Sequence, residues 1–435
     1  MIKNHRVFSL YHLNALRLTT ITLREALCIC EVLNINSLYF LSNQPTRRNQ
    51  QLYKMKQFLL LLFVSIAFQV NLKSQSSDID YRRIKIDSAM YIVSGLALSP
   101  DLETMAIPCT KDFPLYLYDW KKEKVIQKFN VGNWYAGSSV YYSAKGSYIV
   151  LNQLKYSDFS LNKDKEVSFE IVDAQTGKRV KSFEAVHSVA ITPDEKYALA
   201  LTGGEISFWN LENGKKEKSF KVADATNSIA ISPDGKLIAV SHKLYENDAK
   251  QIPTLKRDKK TLKNALKYKQ QISVFDASSF KKLYTVNELY DIIYKLTFNK
   301  DGSLLMCLNI PHTKVQRSPA GRQTYVNLID MNTHQPKRRG FVSTATYEPD
   351  FKLSSDEKLF GIISRSNGFL EVHIYDFETK KVLYRFQQGF RMFEKTDGDM
   401  IIGDTRSAFV FLPGNESVMM TMGNHLIKWN FKPKK

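Results

Sequence analysis

The sequence lacks the short motifs by which many catalytic and metal sites are recognised. It contains no Gly-x-Ser-x-Gly elbow, no His-Glu-x-x-His and no Cys-x-x-Cys. The chain therefore lacks the sequence signatures of a serine hydrolase, a zinc protease and a dithiol redox enzyme. The eight histidines are scattered along the 435 residues. We expect no catalytic residue, no metal site and no cofactor.

The sequence also lacks an apolar run long enough to cross a bilayer. The longest run, Phe58 to Phe68, falls short of the roughly 20 residues required even when extended to Leu72. Because Met55-Lys56-Gln57 precedes it and small or polar residues follow to Ser74-Gln75, residues 55–74 are typical of a secretory signal peptide. A signal anchor is the alternative. We expect an exported protein in the periplasm, at the cell surface or outside the cell, with no transmembrane span in its mature form.

Residues 1–54 precede this signal and carry none of the repeat motifs described below. They hold seven Lys or Arg against two acidic residues. Such a leader is abnormally long, so we expect either a mis-assigned start, with Met55 as the true one, or a disordered extension. A cytosolic segment of a signal anchor is the alternative, because insertion favours positive charge on the inner side.

An apolar or aromatic residue followed by Asp or Asn ends a short alternating apolar run seven times. The pairs are Tyr118-Asp119, Val172-Asp173, Trp209-Asn210, Phe275-Asp276, Ile329-Asp330, Tyr375-Asp376 and Trp429-Asn430. A second element, apolar-x-apolar-Ser-Pro-Asp, precedes them and is clearest at Leu96–Asp101 and Ile229–Asp234. Alternation predicts strands, and the Pro-Asp clusters predict turns. Two strand motifs repeated at periods of about 40 to 55 residues are typical of propeller blades.

These residues resemble the WD40 and YVTN group of β-propellers, and the resemblance covers residues 81–431. It implies an all-β fold with seven four-stranded blades around a channel, and most often a role as a binding platform. The Gly-His pair of strict WD40 repeats is absent, and Trp fills the pair only at Trp209 and Trp429. The resemblance is therefore to divergent bacterial members, from which no site residue can be transferred.

The last repeat has no room for a fourth strand after Trp429-Asn430. The strand-like segment Arg82 to Asp87 precedes the first repeat, so we expect it to close the ring as the outer strand of the last blade. After residue 74 only Cys109 and Cys307 remain, in the first and fifth repeats. We expect two buried free thiols, the alternative being a disulfide, which needs Cα atoms within about 7 Å.

Positive charge is concentrated in two insertions between second and third strands. Lys243 to Gln270 holds nine Lys or Arg against three acids, and Asn309 to Gln323 holds three cations and no acid. Together they carry +9 of the +12 that remains beyond residue 74. Such a patch attracts anionic partners. The candidate binding residues are Lys256, Arg257, Lys259, Lys260, Arg317 and Arg322. The alternative is a solvated, partly helical loop in which Leu262, Ala265 and Leu266 dock Thr261 to Lys269 onto the rim.

Trp134 and Tyr135 lie in the connection between the first two repeats and are the aromatic candidates for the same face. We expect these two aromatic residues either to contact a partner as interface anchors or to pack as a plug over the channel mouth. Only Tyr245 and Tyr268 interleave with the cations, so nucleic acid is a poor fit. The expected protein is a monomeric, non-catalytic platform for a protein, an anionic glycan or another envelope component. The alternative is a propeller enzyme, lactonase-like or quinoprotein-like, with its site at the channel mouth.

Overall fold

The structure is a computed structural model. It describes residues 80–87, 91–109, 114–131, 136–153, 167–222, 225–310, 323–344, 350–366, 369–389, 393–396, 399–402 and 408–432. The chain divides at Asp78, and all described residues fall in the second unit, Ile79–Lys435. The expected signal peptide and the leader of residues 1–54 lie outside the described residues.

Seven antiparallel four-stranded sheets follow one another along the chain, and each is one blade. A first strand, β1 (Asp80–Lys85), precedes them. The first three blades consist of β2 (Ala97–Leu98), β3 (Thr104–Pro108), β4 (Leu115–Asp119) and β5 (Lys124–Phe129); β6 (Ala136–Tyr142), β7 (Tyr148–Gln153), β8 (Val167–Asp173) and β9 (Arg179–Glu184); and β10 (Ser188–Ile191), β11 (Tyr197–Thr202), β12 (Glu205–Asn210) and β13 (Lys216–Lys221).

The fourth blade contains the helices of the described chain between its second and third strands. Its elements are β14 (Ala225–Ile231), β15 (Leu237–Lys243), α1 (Glu246–Ala249), α2 (Pro253–Lys256), α3 (Lys259–Tyr268), β16 (Gln270–Asp276) and β17 (Lys282–Thr285). The fifth and sixth blades consist of β18 (Ile292–Phe298), β19 (Leu304–Ile310), β20 (Gln323–Asp330) and β21 (Pro336–Thr344); and β22 (Asp350–Leu353), β23 (Leu359–Ser366), β24 (Phe369–Asp376) and β25 (Val382–Gly389). A small hairpin, β26 (Phe393–Thr396) and β27 (Asp399–Ile402), leads to the last blade.

The seventh blade takes its outer strand from the other end of the chain. Its sheet has the order β1, β30 (His425–Asn430), β29 (Ser417–Met422) and β28 (Phe409–Phe411). Tyr81 pairs with Trp429 and Ile84 with Leu426. The expected strand Arg82 to Asp87 does pair with the last strand, β30. The observed strand begins two residues earlier than expected and ends at Lys85.

Apolar side chains fill every interface between neighbouring blades. Seven buried clusters each combine residues from two adjacent sheets, and one of them joins the last blade to the first through contacts that include Ile107, Tyr118 and Met419. Each sheet is therefore covered on both faces, as expected for blades arranged in a ring. The first strand of each blade lies innermost and the fourth outermost.

The turn between first and second strands has the same geometry in all seven blades. In blade 4 the Ser232 hydroxyl donates to Asp234 Oδ1 at 2.5 Å, and Asp234 Oδ1 accepts from the Lys236 N–H. The fourth turn residue has a positive φ throughout. Glycine adopts this conformation without strain, whereas a Cβ makes it costly. The residues are Leu102, Gly146, Glu195, Gly235, Gly302, Glu357 and Asn415.

The Asp or Asn of the recurring pair caps the turn between third and fourth strands. Asp276 Oδ1 accepts from the N–H groups of Ser278 and Ser279, and Asn210 Oδ1 accepts in the same way from Glu212 and Asn213. An oxygen acceptor at this position satisfies turn N–H groups that would otherwise lack a partner. At the seventh pair, Asn430 Nδ2 donates to Asp80 Oδ2 at 2.7 Å.

Cys109 and Cys307 are free and buried, in blades 1 and 5, as predicted. Burial raises the pKa of both thiols. Neither is therefore suited to form a thiolate near neutral pH.

Candidate binding surface

The blade-4 insertion, residues 244–269, leaves the sheet after Lys243 and returns at Gln270. These two residues are paired partners at the end of a hairpin. Because adjacent strands run antiparallel, loops between second and third strands emerge on one face of the ring. The turns between first and second strands, and between third and fourth, emerge on the opposite face. The insertion thus lies on the face that bears the loops between second and third strands.

Capping residues explain where the insertion becomes helical. Pro253 occupies the first turn of α2, where its missing N–H costs nothing. Asp258 caps α3, since its carboxylate accepts from the N–H groups of Lys260 and Thr261. Hydrogen bonds from the Thr261 hydroxyl and these N–H groups lower the pKa of Asp258. Helix α3 starts two residues before the expected segment Thr261 to Lys269 and ends one residue before it.

A small apolar core docks the insertion. Leu244, Ala249, Leu255 and Ala265 are buried together, and Leu262, Leu266 and Leu289 pack against them. Leu289 belongs to the connection that leads into blade 5. The docking through Leu262, Ala265 and Leu266, which belonged to the alternative of a solvated, partly helical loop, is therefore observed. Burial of four apolar side chains stabilises the insertion in one position, so the backbone positions that carry its cations are fixed.

The four described cations among the candidates lie together where α2 ends and α3 begins. Lys256, Arg257, Lys259 and Lys260 are all exposed. Within the described residues, the ion pairs of the insertion are Lys250 with Glu246 and Lys269 with Asp291. None of the four cations forms an ion pair among the described residues, although the Asp258 carboxylate interacts electrostatically with Lys260. They also lie near the positive end of the α3 dipole, which makes the local potential more positive.

A shallow groove of about 400 Å³ runs along α3. Lys259, Lys263 and Lys267 line it, and because they are four residues apart they share one helix face. We call these three residues the basic helix face. Leu262 and Leu266 supply the apolar part of the groove, with Glu246 from α1. The sequence analysis named Lys259 but missed Lys263, Lys267 and the groove, although the spacing of the three lysines was a readable signal.

The other candidates cannot be compared with the structure. Arg317, Arg322, Trp134 and Tyr135 lie outside the described residues. Tyr245 and Tyr268 both have intramolecular contacts, Tyr245 against the His242 ring and Tyr268 under the Lys267 ammonium. Neither is a free stacking platform.

The structure contains a serine and histidine in contact that the sequence analysis did not identify. His242 Nε2 lies 2.7 Å from Ser273 Oγ, which lies 2.8 Å from Thr285 Oγ1, while His242 Nδ1 donates to the Lys243 carbonyl. Burial lowers the pKa of His242. His242 and Ser273 are 2% and 1% exposed, so a substrate has no access to them. This network links three strands of blade 4.

Metal and membrane features are absent from the described part of the chain. No group of three His, Cys, Asp or Glu there could hold a metal ion. None of its helices has the length and apolar character needed to cross a membrane.

Comparison with known proteins supports the fold and gives no information about the function. No protein-family model matches this chain, and no curated protein is similar to it. Among solved structures, hydrazine synthase from Kuenenia stuttgartiensis is similar to it with a TM-score of 0.53 and 13% sequence identity. The similarity covers 79% of this chain and 96% of that one. At this identity the similarity shows the propeller fold alone.

Proposed function

We propose that this protein is an exported, non-catalytic β-propeller with blades of the WD40 and YVTN type, and that it binds an acidic partner through the blade-4 insertion. The observation that carries the proposal is the basic helix face, three exposed lysines in register beside an apolar groove on a docked helix. An acidic protein surface or a polyanionic glycan has the matching chemistry. The repeated pair and the Ser-Pro-Asp turn support the blade type.

The charge of the insertion is not required by the fold. The chain between Lys243 and Gln270 could be replaced by a short turn, because the two residues are already paired across the hairpin. The insertion instead keeps a core of its own and an excess of cations. Charge fixed on a rigid element loses less conformational entropy on binding than charge on a flexible loop. Because a docked insertion loses less conformational entropy when it binds, its structure favours a role in recognition over a role in solubility alone.

Two triple variants with the same charge change test the proposal. The first replaces Lys259, Lys263 and Lys267 with Ser. The second replaces Lys122, Lys196 and Lys236, which are exposed on turns of the opposite face. Binding to a polyanionic glycan and to an acidic peptide is measured by titration at low and high salt. Each exposed charge contributes on the order of 0.5 kcal/mol, so the first variant should lose about tenfold in affinity.

The wild type should also bind more weakly at high salt, since the screening length falls to about 8 Å at physiological ionic strength. Equal losses in both triple variants would indicate nonspecific attraction to net charge and would reject the blade-4 insertion as the site. A partner pull-down from the native envelope with the same variants identifies which acidic class is bound.

The export part of the proposal rests on the sequence alone and has its own test. Protein recovered from the native envelope or medium is sequenced from its amino terminus. A start near residue 75 is the expected result. Recovery of a chain starting at Met1 in the cytosol would contradict export without affecting the binding measurements.

A further inference from the structure

Charged residues are rare on the first strands, which surround the channel. Among the described first strands, charge occurs on β18 and β22 of the neighbouring blades 5 and 6. The residues are Lys295, Asp350 and Lys352. The first strands of the other blades carry small, apolar, aromatic or uncharged polar residues over their described ranges. The propeller fold therefore does not require charge at this position.

The three side chains form one cluster. Lys295 Nζ lies 2.7 Å from Asp350 Oδ1, and Lys352 Nζ lies 3.3 Å from Asp350 Oδ2. Lys295 also donates to the Phe351 carbonyl at 3.3 Å. The side chains of Lys295 and Lys352 are 34% and 27% exposed, and that of Asp350 is 14% exposed. The carboxylate of Asp350 is therefore more enclosed than the two lysine side chains, each of which is partly exposed.

The cluster has one positive charge more than an ion pair needs. A structural ion pair requires one cation for Asp350, and here two share it. Each ammonium group has three donors, so donors remain on both after the contacts with Asp350 and Phe351. Burial lowers the pKa of Lys295 to about 8, and Lys352 lowers it further against the opposing effect of Asp350. The centre of the Phe351 ring lies 4.7 Å from the Lys295 ammonium, and a second anion beside this ammonium would oppose the effect of burial.

We propose that the channel edge between blades 5 and 6 binds a small oxyanion, a carboxylate or phosphate group, between the Lys295 and Lys352 ammonium groups. This site is separate from the blade-4 insertion and does not depend on the proposed function. The ligand class follows from the donors, because ammonium groups bind carboxylate and phosphate oxygens through charge-assisted hydrogen bonds. Among the described residues of this cluster, an arriving carboxylate faces two cations and one carboxylate, that of Asp350.

Calorimetric titration with inorganic phosphate and with acetate, each against chloride at constant ionic strength, tests this site. The wild type should bind at least one of them in the millimolar range or tighter. Lys295→Met and Lys352→Met should each weaken binding about tenfold or more. Lys236→Met, an exposed lysine paired with Asp234 on the turn face, is the control and should leave it unchanged.

Asp350→Asn separates a binding site from a structural cluster. Removing the competing carboxylate should strengthen phosphate or acetate binding several-fold, whereas a purely structural role predicts lower stability and no gain in affinity. Binding by the wild type near pH 8 should also take up protons, seen as heats that differ between two buffers. If Lys295→Met fails to fold, Lys352→Met and Asp350→Asn carry the test. The site is rejected if neither anion binds, if the affinity is equal in all variants, or if Asp350→Asn does not increase the affinity for either anion.

Discussion

Lys269 Nζ lies 2.8 Å from Asp291 Oδ1 and ties the end of the blade-4 insertion to the connection that enters blade 5. The contact is an ion pair between two partly buried side chains, 29% and 18% exposed. Beside it, Gln270 and Tyr290 exchange two backbone hydrogen bonds. The insertion is therefore held by blade 5 as well as by the strands from which it emerges.

Replacing Asp291 with Asn should loosen the insertion without unfolding the propeller. Loss of the ion pair leaves Lys269 unneutralised at a partly buried position, so amide hydrogen exchange in α3 should become faster. The matched control is Lys250→Gln, which breaks the fully exposed pair with Glu246 and should have little effect. Unchanged exchange in α3 would mean that the apolar core of the insertion suffices to hold it.

The Asp residues of the recurring pairs should make the protein sensitive to acid. Hydrogen bonds from the Ser278 hydroxyl and the N–H of Ser279 lower the pKa of Asp276 in the folded chain. The unfolded chain therefore binds more protons as pH falls below about 4, the ordinary value for Asp. Stability should be full above that pH and decline as pH falls further. Urea unfolding at a series of pH values measures this decline.

Asp276→Asn distinguishes the acceptor from the charge. Asn210 performs the same capping role in blade 3, so the Asn variant should stay close to wild type at neutral pH and show a weaker acid dependence. Asp276→Ala removes the acceptor and should lower the melting temperature at every pH. Equal stability of the Ala and Asn variants would show that the cap is dispensable.

Cys109 and Cys307 should resist thiol reagents in the native protein. Both are buried, and burial raises the pKa of each thiol, so little thiolate is available. In a chain that starts at residue 79, a chromogenic disulfide reagent should label neither cysteine until denaturant is added, and then both. Rapid labelling of one cysteine without denaturant would reveal local opening of its blade.

Removal of β1 should destabilise the seventh blade specifically. Ile84 is buried in the interface between the last and first blades and contributes about 2 kcal/mol by burial alone. A chain starting at residue 87 should melt at lower temperature and self-associate, because β30 becomes an exposed edge. A chain starting at residue 79 is the control. Identical melting of the two chains would contradict a stabilising role for β1.

The blade pattern was predictable because the turns need particular side chains. Asp276 accepts the N–H of Ser279, and Ser232 accepts the N–H of Leu237 and donates to the Asp234 carboxylate, so Asp and Ser recur in most of these turns. The pairing of β1 with β30 could be inferred from the missing last strand. The positive φ at Leu102 and Glu195 could not be inferred from residue type, because the turn itself, closed by the backbone hydrogen bonds from Leu102 N–H to Ser99 and from Glu195 N–H to Thr192, requires it. Glu195 accepts the N–H of Lys145 from the preceding blade at 2.6 Å.

The candidate sites were predictable only in part. Clustered cations identified the insertion, and capping at Asp258 explains why the helix begins where it does. The contacts among Lys295, Asp350 and Lys352 join two blades whose charged residues are 55 positions apart in the chain. No local pattern relates residues at that separation. Only the order of the blades in the ring brings them together.

The pairing of β1 with β30 also determines the order in which the fold can be completed. Asp80 and Asn430 are 350 positions apart, whereas each of the other six sheets uses consecutive strands. During synthesis those six sheets can pair as their residues emerge, but the seventh must wait for the last strand. A premature stop within the final repeat would thus leave two apolar blade faces uncovered at once. Such a product would be prone to aggregate.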